Sequence, residues 1–263
     1  MSLPAIVLAA GRGERMRPLT DTCPKPLLAV QGQPLLAWHV QALVRAGFDR
    51  LVINTAWLGH EITSFFDTKR LPDKRCQLSN TNPFDASFSD EQTDFGGALE
   101  TAGGIARALP LLGAHHPPQP SDAFWVVAAD VFVPGFAFTQ ASVDRFLASD
   151  ALAHLWLVPN PAHNPKGDFG IGPSGLALNL PTPEIDTDTP LPRFTYSTIG
   201  LYRAALFAEP WCDIPHGNPG GVKAPLAPLL RRAMDAGRVS AELYHGTWTD
   251  VGTPERLAQL NTP

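Results

Sequence analysis

Cysteine is scarce in this sequence, with three residues among 263. Cys23, Cys76 and Cys212 lie far apart in the chain, and none belongs to a Cys-x-x-Cys pair. This pattern excludes a disulfide framework and a cysteine-based zinc site as organising features. It also favours a reducing compartment, because disulfide-stabilised proteins are mostly secreted.

Long apolar runs and an excess of positive charge are missing as well. The N-terminal run from Leu3 to Ala10 is too short to span a bilayer, and no basic residue precedes it as in a signal peptide. The formal net charge of −5 provides no basic surface for nucleic acid or an anionic membrane. We therefore predict a soluble cytoplasmic protein with no nucleic-acid or membrane partner. These features leave its oligomeric state open.

Strand-like and helix-like segments alternate along the chain. The apolar run from Leu3 to Leu8 is typical of a strand buried on both faces. The segment from Pro34 to Ala46 places its apolar residues on one helical face and stops before Gly47. Further strands are predicted at 51–54, 123–129, 152–158 and 195–202, and further helices at 61–66, 101–109, 223–236 and from Pro254 onward. This order predicts an α/β fold, a Rossmann-like three-layer sandwich with a mostly parallel central sheet.

Two polar segments interrupt this pattern. The stretch from Asn80 to Phe95 has no hydrophobic period, and we predict a loop or an insertion over residues 80–97. The stretch from Pro159 to Arg193 is rich in turn-forming residues and predicts loops or short hairpins. Its glycines at 170, 172 and 175 satisfy G-x-G-x-x-G by letter, but Pro173 lies among them, and we predict a turn.

Because no repeat or linker divides the chain, residues 1–263 are predicted to form one domain.

The most informative stretch is LAAGRGERMRPLTDTCPKPL, residues 8–27. A predicted buried strand leads directly into small residues, whose backbone N–H groups can line an anion-binding cavity. Arg12, Arg15 and Lys25 follow, and the two prolines that flank Lys25 restrict its backbone. A Walker A loop is excluded because no Gly-Lys-Ser/Thr ending exists, and Met16 replaces the third glycine of a dinucleotide fingerprint. The alternative for this stretch is a solvated basic turn.

Two aspartates stand where predicted buried strands end. Asp130 follows AFWVVAA, and Asp250 follows a short predicted strand that contains Trp248. Ligands of open α/β sheets bind outside the carboxyl ends of the strands, so both side chains are expected in one crevice. Magnesium commonly takes one or two protein carboxylates together with phosphate oxygens and water. The pair therefore predicts a Mg²⁺ site, the alternative being a turn residue and a helix-terminal carboxylate.

Residues 8–27 resemble the signature of the sugar nucleotidyltransferases, a family with a Rossmann-like nucleotide-binding fold. The resemblance implies that Arg15 and Lys25 act on the triphosphate near the reacting centre and that Asp130 and Asp250 bind Mg²⁺. It also implies a nucleotide-binding segment formed by Leu8, Ala9, Ala10, Gly11, Arg12 and Gly13. The family usually has glycine before the first aspartate. Ala129 stands there instead, and we expect its methyl group to narrow the nucleotide site.

The sugar side is expected around LETAGGI, residues 99–105, and in a subregion of about 152–222. Thr101 is predicted to cap a helix, Glu100 to accept hydrogen bonds from sugar hydroxyls, and Gly103 to leave space for the ring. The further candidates for the sugar phosphate are Asn160, Asp168 and Lys223. Together with INTAWLGHEI, NPAHNPKGDFG, KAPLAPLLRRAM and WTDVGTPERL, this segment resembles the N-acetylmuramate-1-phosphate uridylyltransferase branch of the family.

That branch implies UTP and a sugar 1-phosphate as substrates, a UDP-sugar and pyrophosphate as products, and a role in peptidoglycan recycling. Two alternatives stay open. One is a transferase for another base and sugar, such as GTP with mannose 1-phosphate. The other is a non-catalytic module that binds nucleotide sugars, which the presence of Arg15, Lys25, Asp130 and Asp250 disfavours.

Overall fold

A central β-sheet with helices on both faces organises the chain in the computed structural model, which describes residues 2–180 and 192–262. The strands are β1 (Ala5–Leu8), β2 (Ala29–Val30), β3 (Gln33–Pro34), β4 (Arg50–Thr55), β5 (Asp85–Asp90), β6 (Ala123–Ala128), β7 (Val131–Phe132), β8 (Ala153–Val158), β9 (Phe169–Ile171), β10 (Ala177–Leu178), β11 (Arg193–Arg203), β12 (Val239–Leu243) and β13 (Thr249–Asp250). The α-helices are α1 (Leu35–Arg45), α2 (Gly59–Asp67), α3 (Glu91–Phe95), α4 (Glu100–Ala108), α5 (Gln140–Leu147), α6 (Leu226–Asp235) and α7 (Pro254–Asn261).

The main sheet has the order β10-β9-β11-β6-β1-β4-β5, and β8 and β12 extend it beside β11. Strand β1 lies between β4 and β6 and is parallel to both, β5 is parallel to β4, and β12 is parallel to β8. Strand β11 is antiparallel to its neighbours β6, β8 and β9. The predicted α/β fold with a mostly parallel central sheet is confirmed.

Alternating residues of β1 supply the two faces of this sheet. Ala5 and Val7 belong to one hydrophobic cluster together with Val40 of α1, whereas Ile6 belongs to a second cluster with Ile105 of α4. Because both faces of the sheet are apolar and covered by helices at β1, the sequence of this strand is a continuous hydrophobic run. This arrangement is the three-layer sandwich that the sequence predicts.

The expectation of an aperiodic loop from Asn80 to Phe95 is wrong. Strand β5 pairs with β4 along its whole length, and α3 follows directly, with the Asp90 side chain accepting a hydrogen bond from Thr93 N at 3.0 Å. Strand β5 lies at the sheet edge and is held by backbone pairing, while most of its side chains are partly or fully exposed. Of its residues, Ala86 and Phe88 pack against the main hydrophobic cluster, and two apolar residues are too few to identify a strand from the sequence.

The start of α4 also differs from the prediction. The helix is confirmed, but it begins at Glu100 after Leu99, and Thr101 is not its cap. Instead, Ala224 O accepts hydrogen bonds from Ala102 N and Gly103 N at 2.9 and 3.1 Å. The segment before α6 therefore provides a hydrogen-bond acceptor for two of the N-terminal amides of α4 that have no partner within the helix. This contact holds the two helices together.

Several boundaries further along the chain are as predicted or shifted by a few residues. Helix α7 begins at Pro254, and the Thr253 side chain accepts from Arg256 N, as predicted. The glycine-rich stretch is a hairpin turn between β9 and β10, with Gly175 at φ +77°. Helix α6 begins at Leu226 and not at Lys223.

Of the loop predicted over 159–193, residues 181–191 lie outside the described residues. No helix of the described residues is long and apolar enough to cross a membrane.

Candidate functional site

A cavity of about 450 Å³ lies at the carboxyl ends of β1 and β6. Its lining includes residues from the stretch after β1, from the start of α4 and from the end of β6, namely Leu8, Ala9, Ala10, Gly11, Gly13, Arg15, Lys25, Glu100, Thr101, Ala128 and Asp130. We call it the loop cavity. Ligands of open α/β sheets bind at this edge, because helices and strands leave a crevice there.

The loop after β1 needs glycine at position 13. Gly13 has φ +67°, and a β-carbon built on it would lie 3.1 Å from Thr20 Cγ2 and 3.2 Å from Lys25 Cβ. The Thr20 hydroxyl donates to Gly13 O at 2.9 Å and fixes this conformation. Gly11, by contrast, has no atom within 4 Å of such a β-carbon, so its backbone faces open space where a ligand can approach.

The Arg12 side chain is directed away from the loop cavity. Its guanidinium donates to Thr20 O at 2.8 Å and to Asp21 Oδ1 at 3.0 Å, and it lies 3.7 Å from the centroid of the Trp57 ring. Arg12 therefore stabilises the loop through Thr20 and Asp21 and joins it to the distant Trp57. It can contribute to a nucleotide site only through its backbone. Arg15 is different, because it is exposed, lines the cavity and has no ion-pair partner among the described residues.

Lys25 and Asp130 form an ion pair at the edge of this cavity. Lys25 Nζ donates to Asp130 Oδ2 at 2.7 Å. The lysine side chain is 9% exposed, and the aspartate side chain is 46% exposed. The Lys25 ammonium group is thus held in one position at the cavity, while the Asp130 carboxylate stays accessible to solvent and to ligands.

Asp250 is placed beside Asp130 by the short β7–β13 ladder. Asp250 is the register partner of Val131, and Val251 N donates to Asp130 O at 2.8 Å. The Asp250 Oδ1 atom contacts His163 Nε2 at 2.8 Å and accepts a hydrogen bond from the Arg256 guanidinium. Two acidic residues 120 positions apart therefore stand on adjacent backbone segments.

Asp130 lines the loop cavity, whereas Asp250 is not among its lining residues. Asp130 Oδ1 and Asp250 Oδ2 accept no hydrogen bond within the described residues, so each aspartate keeps one oxygen available. Residues 2–180 and 192–262 contain no group of three or more His, Cys, Asp or Glu side chains placed to hold a metal. A cation here would therefore complete its shell with phosphate oxygens and water, as Mg²⁺ commonly does.

Ala129 does not narrow the cavity, contrary to expectation. Residues alternate in direction along the end of β6, so Ala128 and Asp130 line the cavity whereas Ala129 is fully buried in the hydrophobic cluster that contains Val7. A methyl group at this position fills the core and leaves the nucleotide side unchanged.

A second cavity of about 540 Å³ adjoins the first, and we call it the α6 cavity. The two share five lining residues, Leu8, Glu100, Thr101, Ala128 and Thr198. The α6 cavity continues along Asp168, Tyr196 and the first turns of α6. Asp168 is held by Tyr196 N, which donates to its Oδ2 at 2.8 Å, and by the Asn164 amide at 3.2 Å.

Two residues shared by the cavities have left-handed backbone conformations that their side chains disfavour. Glu100 has φ +60°, and Thr198 has φ +66°. Thr198 lies in an irregularity of the β11–β8 pairing between Tyr196 and Ile199, and β-branched residues rarely adopt such a φ. Strained residues of this kind concentrate at functional sites. No sequence pattern pointed to Thr198.

Three of the predicted sugar-site residues are not brought to these cavities. A β-carbon on Gly103 would collide with Val222 O, so this glycine permits close packing of α4 and leaves no space for a sugar. Asn160 is tied to the backbone of Pro165 and Arg193 at 3.2 and 3.0 Å. Lys223 is exposed and lines neither cavity.

A buried polar relay joins the loop cavity to the segment that precedes α4. Ala9 N donates to Asn54 Oδ1 at 2.7 Å, and the Asn54 amide donates to Glu91 Oε1 at 2.8 Å. Glu91 Oε2 accepts from Leu99 N at 2.7 Å. Burial raises the pKa of Glu91 above its ordinary value, and the two hydrogen bonds oppose that rise. Sequence reasoning missed Glu91 because it lies in the polar stretch interpreted as a loop.

The chain is similar in sequence to proteins of a known family. Residues 4–172 match the family model described as nucleotidyl transferase. The chain is 43% identical over 256 residues to the N-acetylmuramate alpha-1-phosphate uridylyltransferase of Neisseria meningitidis serogroup B, covering 97% of this chain and 95% of that protein. It is 29% identical over 252 residues to the protein of the same name from Caulobacter vibrioides, covering 95% and 92%.

A solved structure shares the fold. It is a Bacillus anthracis protein described as a glucose-1-phosphate thymidylyltransferase, in complex with sucrose. The TM-score is 0.68 at 19% identity, and the match covers 99% of this chain and 94% of that one. At this identity the likeness concerns the fold alone.

Proposed function

Because this chain belongs to the nucleotidyl transferase family, we propose that it transfers UMP from UTP to N-acetylmuramic acid α-1-phosphate and releases pyrophosphate. The observation that carries the proposal is the arrangement of the loop cavity. The phosphate loop, Arg15 and the Lys25–Asp130 pair meet there, and Gly252, two residues after Asp250, lines the same cavity. The adjoining α6 cavity offers room for the sugar, and the two relatives named for this reaction align over nearly the whole chain.

The reaction needs little covalent participation by the protein. The sugar phosphate is already an ionised nucleophile, so no general base is required. One of its oxygens forms a bond to the α-phosphorus of UTP while the bond to the pyrophosphate oxygen breaks, in line with the attack. The protein contributes by positioning the two reactants and stabilising charge that develops on the transferred group. Arg15, Lys25 and the loop N–H groups would bind the triphosphate, and Lys25 would also hold Asp130 in position.

Enzymes of this family commonly use a divalent metal ion. We propose Mg²⁺, held by Asp130 and Asp250 through the carboxylate oxygens that lack protein partners. When bound, it would supply positive charge to the phosphate oxygens. In the α6 cavity, Glu100 and Asp168 would accept hydrogen bonds from sugar hydroxyls, with Thr101 beside them. Gly103, Asn160 and Lys223 are not assigned to the sugar, because they line neither cavity.

A pyrophosphate-release assay tests the proposal directly. The purified chain is incubated with Mg²⁺ and each of UTP, GTP, CTP and dTTP against N-acetylmuramic acid, N-acetylglucosamine and mannose 1-phosphates. We expect the highest kcat/KM for UTP with N-acetylmuramic acid α-1-phosphate, and no release when either substrate is omitted. If kcat/KM were highest for GTP with mannose 1-phosphate, the proposed substrates would be wrong. Nucleotide binding without any pyrophosphate release would reject the enzymatic function.

A further inference from the structure

Arg231 is the only lysine or arginine that lines the α6 cavity within the described residues. It lies on α6, whose residues Leu226, Ala227 and Leu230 line the same cavity. These positions share one helix face, since 226 and 230, and likewise 227 and 231, are four residues apart. The cation is thus presented from an otherwise apolar helix surface toward the space that we assign to the sugar.

The Arg231 guanidinium has no carboxylate partner in the described part of the chain. One nitrogen donates to Asn179 Oδ1 at 2.6 Å, and the guanidinium carbon lies 5.2 Å from the centroid of the Phe169 ring. No Asp or Glu oxygen of the described residues lies within ion-pair distance. These contacts orient the guanidinium and leave donors available, and its planar fork matches a carboxylate.

The cavity already contains two acidic groups, Glu100 and Asp168. They suit sugar hydroxyls but would repel an anionic substituent on the sugar. Arg231 offsets that repulsion at the α6 side, and Leu226 and Leu230 beside it provide an apolar surface for a methyl group. A sugar that carries both a carboxylate and a methyl group therefore fits this surface of α6 better than a neutral sugar does.

We infer that Arg231 binds the carboxylate of the lactyl ether on the sugar and makes the enzyme select carboxylate-bearing sugar 1-phosphates. This inference rests on the proposed function. The 1-phosphate itself cannot be the ligand of Arg231, because the reacting end must lie beside Asp130 and Arg15, which line only the loop cavity. The substrate thus has two anionic ends, one in each cavity.

The experiment compares three acceptors with UTP in wild type and in Arg231→Met. The acceptors are N-acetylmuramic acid 1-phosphate, its lactyl methylamide, which is neutral, and N-acetylglucosamine 1-phosphate, which lacks the lactyl group. The wild type should prefer the carboxylate by about 10- to 100-fold in kcat/KM over the methylamide, the range for losing a charged hydrogen-bond partner in a binding site. Arg231→Met should reduce this preference to about twofold or less, with little change for the two neutral acceptors.

Arg232→Met is the matched control, because Arg232 is the next residue of α6, is exposed and donates to Trp211 O at 3.0 Å. It should keep the wild-type preference. Arg231→Lys guards against misfolding of the methionine variant and should retain part of the preference. Isothermal titration calorimetry with the UDP-sugar products compares the affinities of wild type and Arg231→Met without turnover.

A preference that persists in Arg231→Met, or an equal loss with all three acceptors, would overturn the inference and leave the proposed function intact. Turnover of none of the three acceptors by the wild type would overturn both.

Discussion

Lys25 Nζ lies 2.7 Å from Asp130 Oδ2 and joins two segments that are 105 residues apart in the sequence. The backbone carbonyl of Asp130 in turn accepts a hydrogen bond from Val251, the residue after Asp250. The cation, the first acid and the strand that carries the second acid are therefore one connected unit. Because the lysine is buried and the aspartate is half-exposed, the pair stabilises the loop and still leaves the carboxylate accessible.

Arg15 and Arg17 allow a matched test of the triphosphate site. Both are exposed on the same loop, but Arg17 is paired with Asp21 at 2.8 Å, whereas Arg15 lines the loop cavity without an ion-pair partner in the described residues. We expect Arg15→Met to lower kcat/KM for UTP by about 10²–10³, the cost of losing one electrostatic stabiliser. Arg17→Met should cost less than about fivefold, since exposed ion pairs contribute little. Steady-state pyrophosphate release measures both, and equal losses would contradict the assignment.

Glu91 should be important for stability. Replacing it with alanine leaves the buried Asn54 amide and Leu99 N without their acceptor, because both donate to this carboxylate. We expect the free energy of unfolding to fall by about 2–4 kcal/mol in Glu91→Ala. Urea denaturation measures the change, with the exposed helix residue Glu61 replaced by alanine as the control. A loss below about 1 kcal/mol would show that water replaces the carboxylate without cost.

The relay also predicts an effect on nucleotide binding. Asn54 receives the hydrogen bond of Ala9 N and is itself bonded to Glu91. Glu91→Gln keeps the size of the side chain but turns one acceptor into a donor that opposes Leu99 N or the Asn54 amide. We expect KM for UTP to rise, because the acceptor of Ala9 N is no longer held in place. An unchanged KM for UTP would contradict a role of the relay in nucleotide binding.

His39 should make the protein sensitive to acid. Burial lowers the pKa of His39 from its ordinary 6.5 to about 4, and its Nε2 is 2.7 Å from Val131 O. The folded-state pKa lies below the unfolded one, so the stabilising effect is complete above pH 6.5 and disappears as the pH falls toward 4. The loss over this window is about 3 kcal/mol.

A glutamine at this position separates titration from hydrogen bonding. His39→Gln retains an N–H donor for Val131 O but does not titrate. Urea denaturation between pH 7 and 4 should therefore show a shallower decline in the free energy of unfolding for His39→Gln than for wild type. The exposed His60→Gln should follow the wild-type curve. Parallel curves for His39→Gln and wild type would exclude His39 as the source.

The parts that the sequence predicts well are those encoded by neighbouring residues. The buried strands β1 and β6, the cap of α7 by Thr253, and the small-residue loop before Gly13 all follow from local pattern and backbone preference. Asp130 follows directly from its position after the strand-like run of β6, at the carboxyl edge of the sheet. Asp250 lies within β13, which pairs with β7 outside the main sheet, so the shared edge of a parallel sheet does not explain its position.

The parts that it does not predict depend on contacts between distant segments. Strand β5 is defined by backbone pairing with β4, which polar letters do not reveal. Arg12 is drawn away from the cavity by Trp57, 45 residues later in the chain. Thr198 reaches the cavities through an irregular strand pairing, and Arg231 does so because α6 packs with that face inward. None of these follows from composition or periodicity.

The most direct test of the central claim, that Asp130 and Asp250 act together on the triphosphate, is pyrophosphate release at saturating UTP, sugar 1-phosphate and Mg²⁺. Asp130→Asn, Asp250→Asn and the double variant are compared with wild type, and Asp67→Asn, a surface partner of Arg70, is the control. We expect each single variant to lose about 10² or more in kcat and the double variant to be no worse than the poorer single one, since residues that act as a unit are not additive. Near-normal kcat in both single variants would contradict the account.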